Sequence, residues 1–316
     1  MEDGIVTRVK PFRFGVQSRS VGPTRETWIE TVRRVEALGY DTLMWPDHFV
    51  RGFEPVAAMA AAAMVTERLK VCGFVFDNDF RHPVVLAMSI GSIDILSGGR
   101  VELGIGAGWL KDEYDLSGIP FDPVGVRIAR LQEAIPVLKS LLRGERTSFR
   151  GEFYQVDGLQ IPPVPVQKPY PPLIIGGGSP RILRLAAREA DIVGITTRAL
   201  PDGSKDAADG TAKATARKIE WVREAAGDRF PQIELNTIVP TIEITDDRRA
   251  AAERLAAELP IGAEEALDSP TVLLGTVDEI AETLEERRER YGFSYVVILE
   301  PVMEAFAPVV ERLAGR

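Results

Sequence analysis

Histidine titrates near neutral pH and can act as acid, base or hydrogen-bond donor. This chain has two, His48 in "DTLMWPDHF" and His82 in "VCGFVFDNDFRHP". Each follows a short apolar run, Thr42 to Trp45 or Val71 to Phe76, that stops at polar and ionisable residues before a helix-like segment. The end of the first run adds Asp47; the end of the second adds Asp77, Asn78, Asp79 and Arg81. Other apolar runs end alike: one at Gly104, Gly106 and Gly108, then Trp109, Asp112, Glu113 and Tyr114; another at Gly176, Gly177, Gly178 and Ser179; others at Thr196, Thr197 and Arg198, and at Glu300. Such residues support proton transfer at a histidine. They also support anion binding by backbone amides that glycine leaves uncovered at a helix start. The triple glycine reads equally as a tight turn, and Asp112 and Glu113 equally as solvated loop carboxylates. "GIGAGW" is not a dinucleotide fingerprint, because the expected sixth glycine is Trp109.

These runs form one site only if the fold gathers their ends. Strand-like and helix-like segments alternate along the whole chain. The strands read as 12–17, 42–45, 70–76, 100–106, 173–177, 191–196, part of 232–244, and 293–300. They are continuous apolar runs, as expected of parallel strands buried on both faces. The helices read as 24–38, 55–69, 83–97, 124–142, 180–189, 212–226, one beginning near Asp246, 277–292 and 303–316. Eight strands with helices between them predict a TIM-type (β/α)8 barrel whose carboxyl ends form the rim of an active site. An open doubly wound sheet would need a phosphate-binding glycine fingerprint after the first strand, where "SRSVGPT" stands instead. The proline-rich stretch 147–172 after the fourth strand reads as a hairpin and extended loop covering part of the rim. The polar stretch 197–212 after the sixth reads as a mobile loop, and 262–276 as irregular. We expect one domain over residues 1–316, with no linker of boundary quality.

Composition narrows the partners. The chain has 316 residues, 45% hydrophobic and 27% charged, and a net charge of −9. Such a field repels nucleic acid and anionic membranes, but a few amides and arginines can still hold a small anion. The single cysteine, Cys72, lies in an apolar run; it excludes an intrachain disulfide, fits a cytoplasmic setting and reads as an inert core thiol. The opening "MEDGIVTRVKPF" has no signal-peptide core, no apolar stretch is long enough to cross a bilayer, and no zinc-ligand spacing exists, so no metal is expected.

"GYDTLMWPDHF", "ERLKVCGFVFDNDFRHP", "DILSGGRVELGIGAGW", "PLIIGGGSPRILRLAAREADIVGI" and "GTVDEIAETL" resemble the luciferase-like monooxygenase superfamily, and more closely its branch of oxidoreductases dependent on coenzyme F420. The resemblance covers roughly residues 11–300. It implies a TIM-type barrel, a homodimer, and a deazaflavin or isoalloxazine ring over the strand ends. It implies that Asp47 and His48 lie at the ring, with His48 assisting hydride transfer, and that a non-proline cis peptide joins Phe74 and Val75. Gly176, Gly177 and Gly178 match the phosphate-contacting glycines, and Thr196 a cofactor-contacting position. Asn78, Gly106, Gly108 and Ser179 complete the expected cofactor set. The sugar-phosphate dehydrogenases of the family carry a glutamate where this chain has Trp109, which argues against a sugar phosphate as substrate. Glu113, four residues on, matches a commoner position and is taken with His48 as the catalytic pair.

The expected activity is hydride transfer between F420 and an unidentified small organic substrate. Two other readings stay open: a two-component monooxygenase using FMN, and a barrel that binds the ring without turnover.

Overall fold

Eight apolar runs pair edge to edge until the sheet closes on itself. The computed structural model describes residues 10–18, 24–50, 52–200, 204–258 and 262–316, without the side chains of Ala207 and Glu258. The acidic opening at 1–9, most of "SRSVGPT" and 201–203 of the polar loop fall outside the described residues.

In chain order the elements are β1 (Arg13–Gln17), α1 (Arg25–Ala37), β2 (Thr42–Trp45), α2 (Pro55–Val65), β3 (Lys70–Asp77), α3 (Pro83–Ser97), β4 (Val101–Gly106), α4 (Lys111–Ser117), α5 (Val124–Leu142), β5 (Thr147–Arg150), β6 (Gln155–Leu159), β7 (Leu173–Gly177), α6 (Pro180–Glu189), β8 (Ile192–Ile195), α7 (Ala212–Ala226), β9 (Glu234–Val239), β10 (Thr241–Ile244), α8 (Arg248–Glu258), α9 (Ala263–Asp268), β11 (Val272–Gly275), α10 (Val277–Tyr291), β12 (Phe293–Leu299) and α11 (Met303–Leu313). The closed barrel runs β1-β12-β9-β8-β7-β4-β3-β2, with every pairing parallel. All eight expected strands are in it. Helix limits come from local chemistry: Thr24 and Thr276 close capping boxes on α1 and α10, and Gly98 ends α3 at φ 70°.

The barrel is a packed core with a charged plug at its amino end. Met44, Cys72, Ile174, Tyr295 and Val297 fill the lumen and are fully buried. Each such apolar side chain contributes about 1.5–3 kcal/mol by leaving water. Beneath them Arg13 donates to Glu234, Glu102 and Asp41 and lies 3.5 Å over the Tyr295 ring. That guanidinium is held well above its usual range by its carboxylates despite burial. The apolar face is therefore spent on closure, and the larger of the two cavities lies at the carboxyl ends.

Two stretches differ from expectation. The run 232–244 leaves the barrel at Pro240, which has no N–H to donate. Residues 241–244 then pair in parallel with 272–275, part of the stretch read as irregular. The hairpin β5–β6 forms as expected but lies on the outside of the barrel. Glu133 of α5 accepts from the amides of Glu152, Phe153 and Tyr154, and Asp94 of α3 accepts from Val166 and Gln167. No residue of 147–172 lines the cavity at the rim. Among the described residues no helix is long and apolar enough to cross a membrane.

Candidate active site

The strand ends surround a cavity of about 660 Å³, a size that suits a tricyclic ring or a drug-sized ligand. Asp47, His48, Phe74, Val75, Gly106, Gly108, Glu113, Gly176, Gly177, Gly178, Ser179 and Thr196 all line it. Asn78 does not. Its side chain is buried behind the rim, where Nδ2 donates to the Tyr154 hydroxyl at 3.1 Å. The expected place of Asn78 in the cofactor set is therefore corrected: it ties the hairpin to the barrel.

The two histidines separate. His82 is the N-cap of α3, its Nδ1 accepting from the Val84 amide at 3.2 Å, and it packs edge-on against Tyr154. His48 faces the cavity, and its Nδ1 is 2.8 Å from Glu113 Oε2. Glu113 comes from the first turn of α4, a short helix in what the sequence presents as a loop, and is 2% exposed. The contact occupies Nδ1 and leaves Nε2 for the cavity. Among the described residues Nε2 has no partner. Glu113 Oε1 is buried and also unpartnered.

Asp47 has a second task. Both its oxygens are held by Arg81, and Oδ2 also accepts from the Asp77 amide at 2.9 Å. It thus fastens the end of β3 to the end of β2. The peptide between Phe74 and Val75 in β3 is cis, as the resemblance implied, and the β3–β4 register shifts between Gly73 and Phe76. Asp77 accepts from the Tyr114 hydroxyl at 2.7 Å and the Asp79 amide at 3.0 Å. Burial nevertheless pushes its carboxyl up to about 7.

The glycines keep backbones close. Gly108 adopts φ 70°, and a Cβ there would meet the Tyr114 hydroxyl at 1.9 Å. A Cβ on Gly178 would meet the Arg198 amide nitrogen at 2.4 Å. Ser179 is the N-cap residue of α6, yet its side chain makes no capping bond, so its hydroxyl is free for a ligand beside the positive end of that helix.

Several lining residues escaped the sequence reading. Arg181, in the first turn of α6, has no ion-pair partner among the described residues. Asn236 of β9 donates from Nδ2 to the Tyr295 carbonyl at 3.1 Å, which fixes its Oδ1 as a buried, unpartnered acceptor. Register places Gly176, Gly194 and Asn236 in one row across β7, β8 and β9. Glycines in such a row leave space that no strand pattern announces. Trp109 lies edge-on to His48 with ring centroids 5.7 Å apart, and Lys205 Nζ sits 4.2 Å over its ring. The ammonium end is crowded there, and burial with the nearby Lys218 lowers it to about 8, although much of the residue is exposed. Arg198 points its charge at Asp206, at 2.6 Å, so the expected free cation there is neutralised.

Known proteins resemble this chain in sequence and in fold. The sequence model of the luciferase-like monooxygenase family matches residues 6–291. An F420-dependent glucose-6-phosphate dehydrogenase of Microbacterium testaceum is 28% identical over 316 residues, covering 92% of each chain. An uncharacterized protein of Mycobacterium tuberculosis is 31% identical over 184 residues; the match covers 51% of this chain, which spans only 62% of that relative's length. Among solved structures, the coenzyme F420-dependent tetrahydromethanopterin reductase of Methanopyrus kandleri superposes with a TM-score of 0.75 at 18% identity, covering 96% of this chain and 98% of the other. That likeness shows the fold, a TIM-type barrel. With the family match over most of its length, the chain belongs to the luciferase-like monooxygenase family.

Proposed function

We propose that the protein is an F420-dependent oxidoreductase that moves a hydride between the deazaflavin and a small organic substrate. The observation that carries this reading is the His48–Glu113 pair, 2.8 Å apart, on the wall of a glycine-lined cavity at the carboxyl ends of a parallel barrel. The relatives named for F420 support the cofactor; a relative named as an FMNH(2)-dependent dimethylsulfone monooxygenase, from Pseudomonas putida, makes FMN its alternative.

The residues present fit such a group. Phe74, Val75, Gly106 and Gly108 offer an apolar lining, and Gly176 and Gly194 leave their part of the lining without side-chain bulk. Gly177, Gly178 and Ser179 at the α6 N-terminus, with Arg181, suit a phosphate, and Thr196 offers a hydroxyl beside them. The bound cofactor supplies the hydride chemistry. The chain supplies the rest. Glu113 orients His48, and Nε2 of His48 takes or returns the substrate proton as the hydride moves. Asp47 acts at one remove, by holding the ends of β2 and β3 together through Arg81. The test is a screen of alcohols and carbonyl compounds with F420, followed by deazaflavin absorbance. Turnover that is lost in His48→Ala supports the reading. Turnover that requires FMN and oxygen moves it to a monooxygenase, and tight cofactor binding without turnover moves it to a binding protein.

The same reading takes the chain as one cytoplasmic domain that forms a homodimer. Helix α3 is apolar almost all round, yet Val85, Met88, Ile95 and Leu96 on its outer side are exposed. A helix with no polar face is ordinarily covered. Met88→Glu with Leu96→Glu should halve the mass in sedimentation; an unchanged mass rules this face out.

A further inference from the structure

Three cations line the cavity among the described residues: Arg181, Arg198 and Lys205. Arg198 is neutralised by Asp206 at 2.6 Å. Arg181 and Lys205 have no carboxylate partner among the described residues. In a chain with a net charge of −9, two unpaired cations in one cavity are a specific arrangement, since most positive side chains near the rim are matched. Arg81 has Asp47 and Glu54, Arg130 has Asp79 and Asp122, and Lys218 has Asp209.

The two free cations serve different places. Arg181 stands on α6 beside Gly177, Gly178 and Ser179 and packs against Gly125 at the start of α5. Lys205 reaches from the loop after β8 to the loop after β4, where its ammonium rests on the Trp109 ring. Trp109 in turn touches His48. The indole face holds the cation without neutralising it. Lys205 is therefore presented next to the proton-transfer residue.

We propose that Lys205 is an anion-binding residue of this cavity, which receives a phosphate or carboxylate group of the substrate beside Trp109. This rests on the reading above, in which Arg181 and the β7–α6 glycines already serve the cofactor's phosphate; one cofactor phosphate leaves the second cation for another anion. The substrate class that follows is a small anionic molecule whose reacting carbon lies near His48 while its charged group lies over Trp109. The same chemistry is offered by the acidic tail of the deazaflavin, and the test separates the two sources.

The experiment titrates wild type, Lys205→Met and Lys205→Arg with F420 and with FMN. Each protein is then titrated, with and without saturating F420, with inorganic phosphate and with acetate. Calorimetry and tryptophan fluorescence are the readouts. The expected result is that phosphate or acetate binds wild type, binds Lys205→Met at least tenfold more weakly, and binds Lys205→Arg nearly as well as wild type, while F420 affinity stays within twofold in all three. Equal anion binding by wild type and Lys205→Met overturns the proposal, as does failure of either anion to bind wild type. A loss of F420 affinity in Lys205→Met with FMN affinity intact assigns the lysine to the cofactor tail and overturns the substrate assignment. Failure of wild type to bind F420 or FMN refutes the cofactor reading, while the anion titrations without cofactor still decide whether Lys205 binds anions.

Discussion

Gly176→Val separates the cavity's role from the barrel's stability. A Cβ at Gly176 would meet nothing nearer than the Gly194 carbonyl at 3.7 Å, an ordinary contact, so the strand accepts a side chain. Gly176 has no positive φ, and a β-branched residue suits a strand. The added carbons would project into the cavity, against the wall where we place the ring. Overpacking a closely fitted site costs about 1–3 kcal/mol, which corresponds to roughly 5- to 150-fold weaker binding. The assay pairs a thermal melt with a fluorescence titration of F420. We expect a melting temperature within a few degrees of wild type and a dissociation constant raised into that range. A folded Gly176→Val that binds F420 as wild type does would show that no ring lies against β7, and the reasoning from the glycine row would fail. Gly178→Ala is the contrast: its Cβ would press on backbone atoms at 2.4–2.7 Å, so stability itself should fall.

Three further outcomes follow from the geometry. Glu113→Gln and His48→Ala should each slow F420-coupled turnover about 10²- to 10⁴-fold, and the double variant should be no slower than His48→Ala, because Glu113 acts through His48; additive losses would separate the two. Asp77 has its folded pKa raised from 3.8 to about 7, so between pH 4 and 7 the native state keeps a proton that the unfolded chain has lost. Its contribution to stability therefore falls as pH rises through that window. Asp77→Asn should flatten this slope and stabilise the fold above pH 7 by at most about 4 kcal/mol, as read by urea unfolding across pH; an unchanged pH profile would contradict the assignment. Arg81→Met leaves the buried Asp47 carboxylate unpaired and should cost about 3–5 kcal/mol; adding Asp47→Asn should restore part of the loss, and two independent losses would show that the pair does not act as a unit.

The barrel was legible because parallel strands buried on both faces leave an unbroken apolar signature. All eight strands lie where that signature runs. It failed at residues 241–244 and 272–275, where short runs such as "VLLG" do not reveal whether their partner is a barrel strand or each other. The site was legible where backbone chemistry marks it, at the glycines after β4 and β7 and at Asp47–His48. It was not legible where contact depends on three-dimensional approach. Nothing local separates Asn78, which turns away, from Asp77, which lines the cavity. By local pattern Glu113 is one acid among several, singled out only by the family resemblance, until α4 carries it to His48. Asn236 sits in the middle of a strand, and Lys205 in a polar loop, with no spacing that ties either to the rim.

We propose above all that the cavity holds a deazaflavin. Side-by-side fluorescence titrations of the purified protein with F420 and FMN decide it. We expect micromolar or tighter binding of F420 and much weaker binding of FMN. A preference for FMN, or binding of neither, would contradict it.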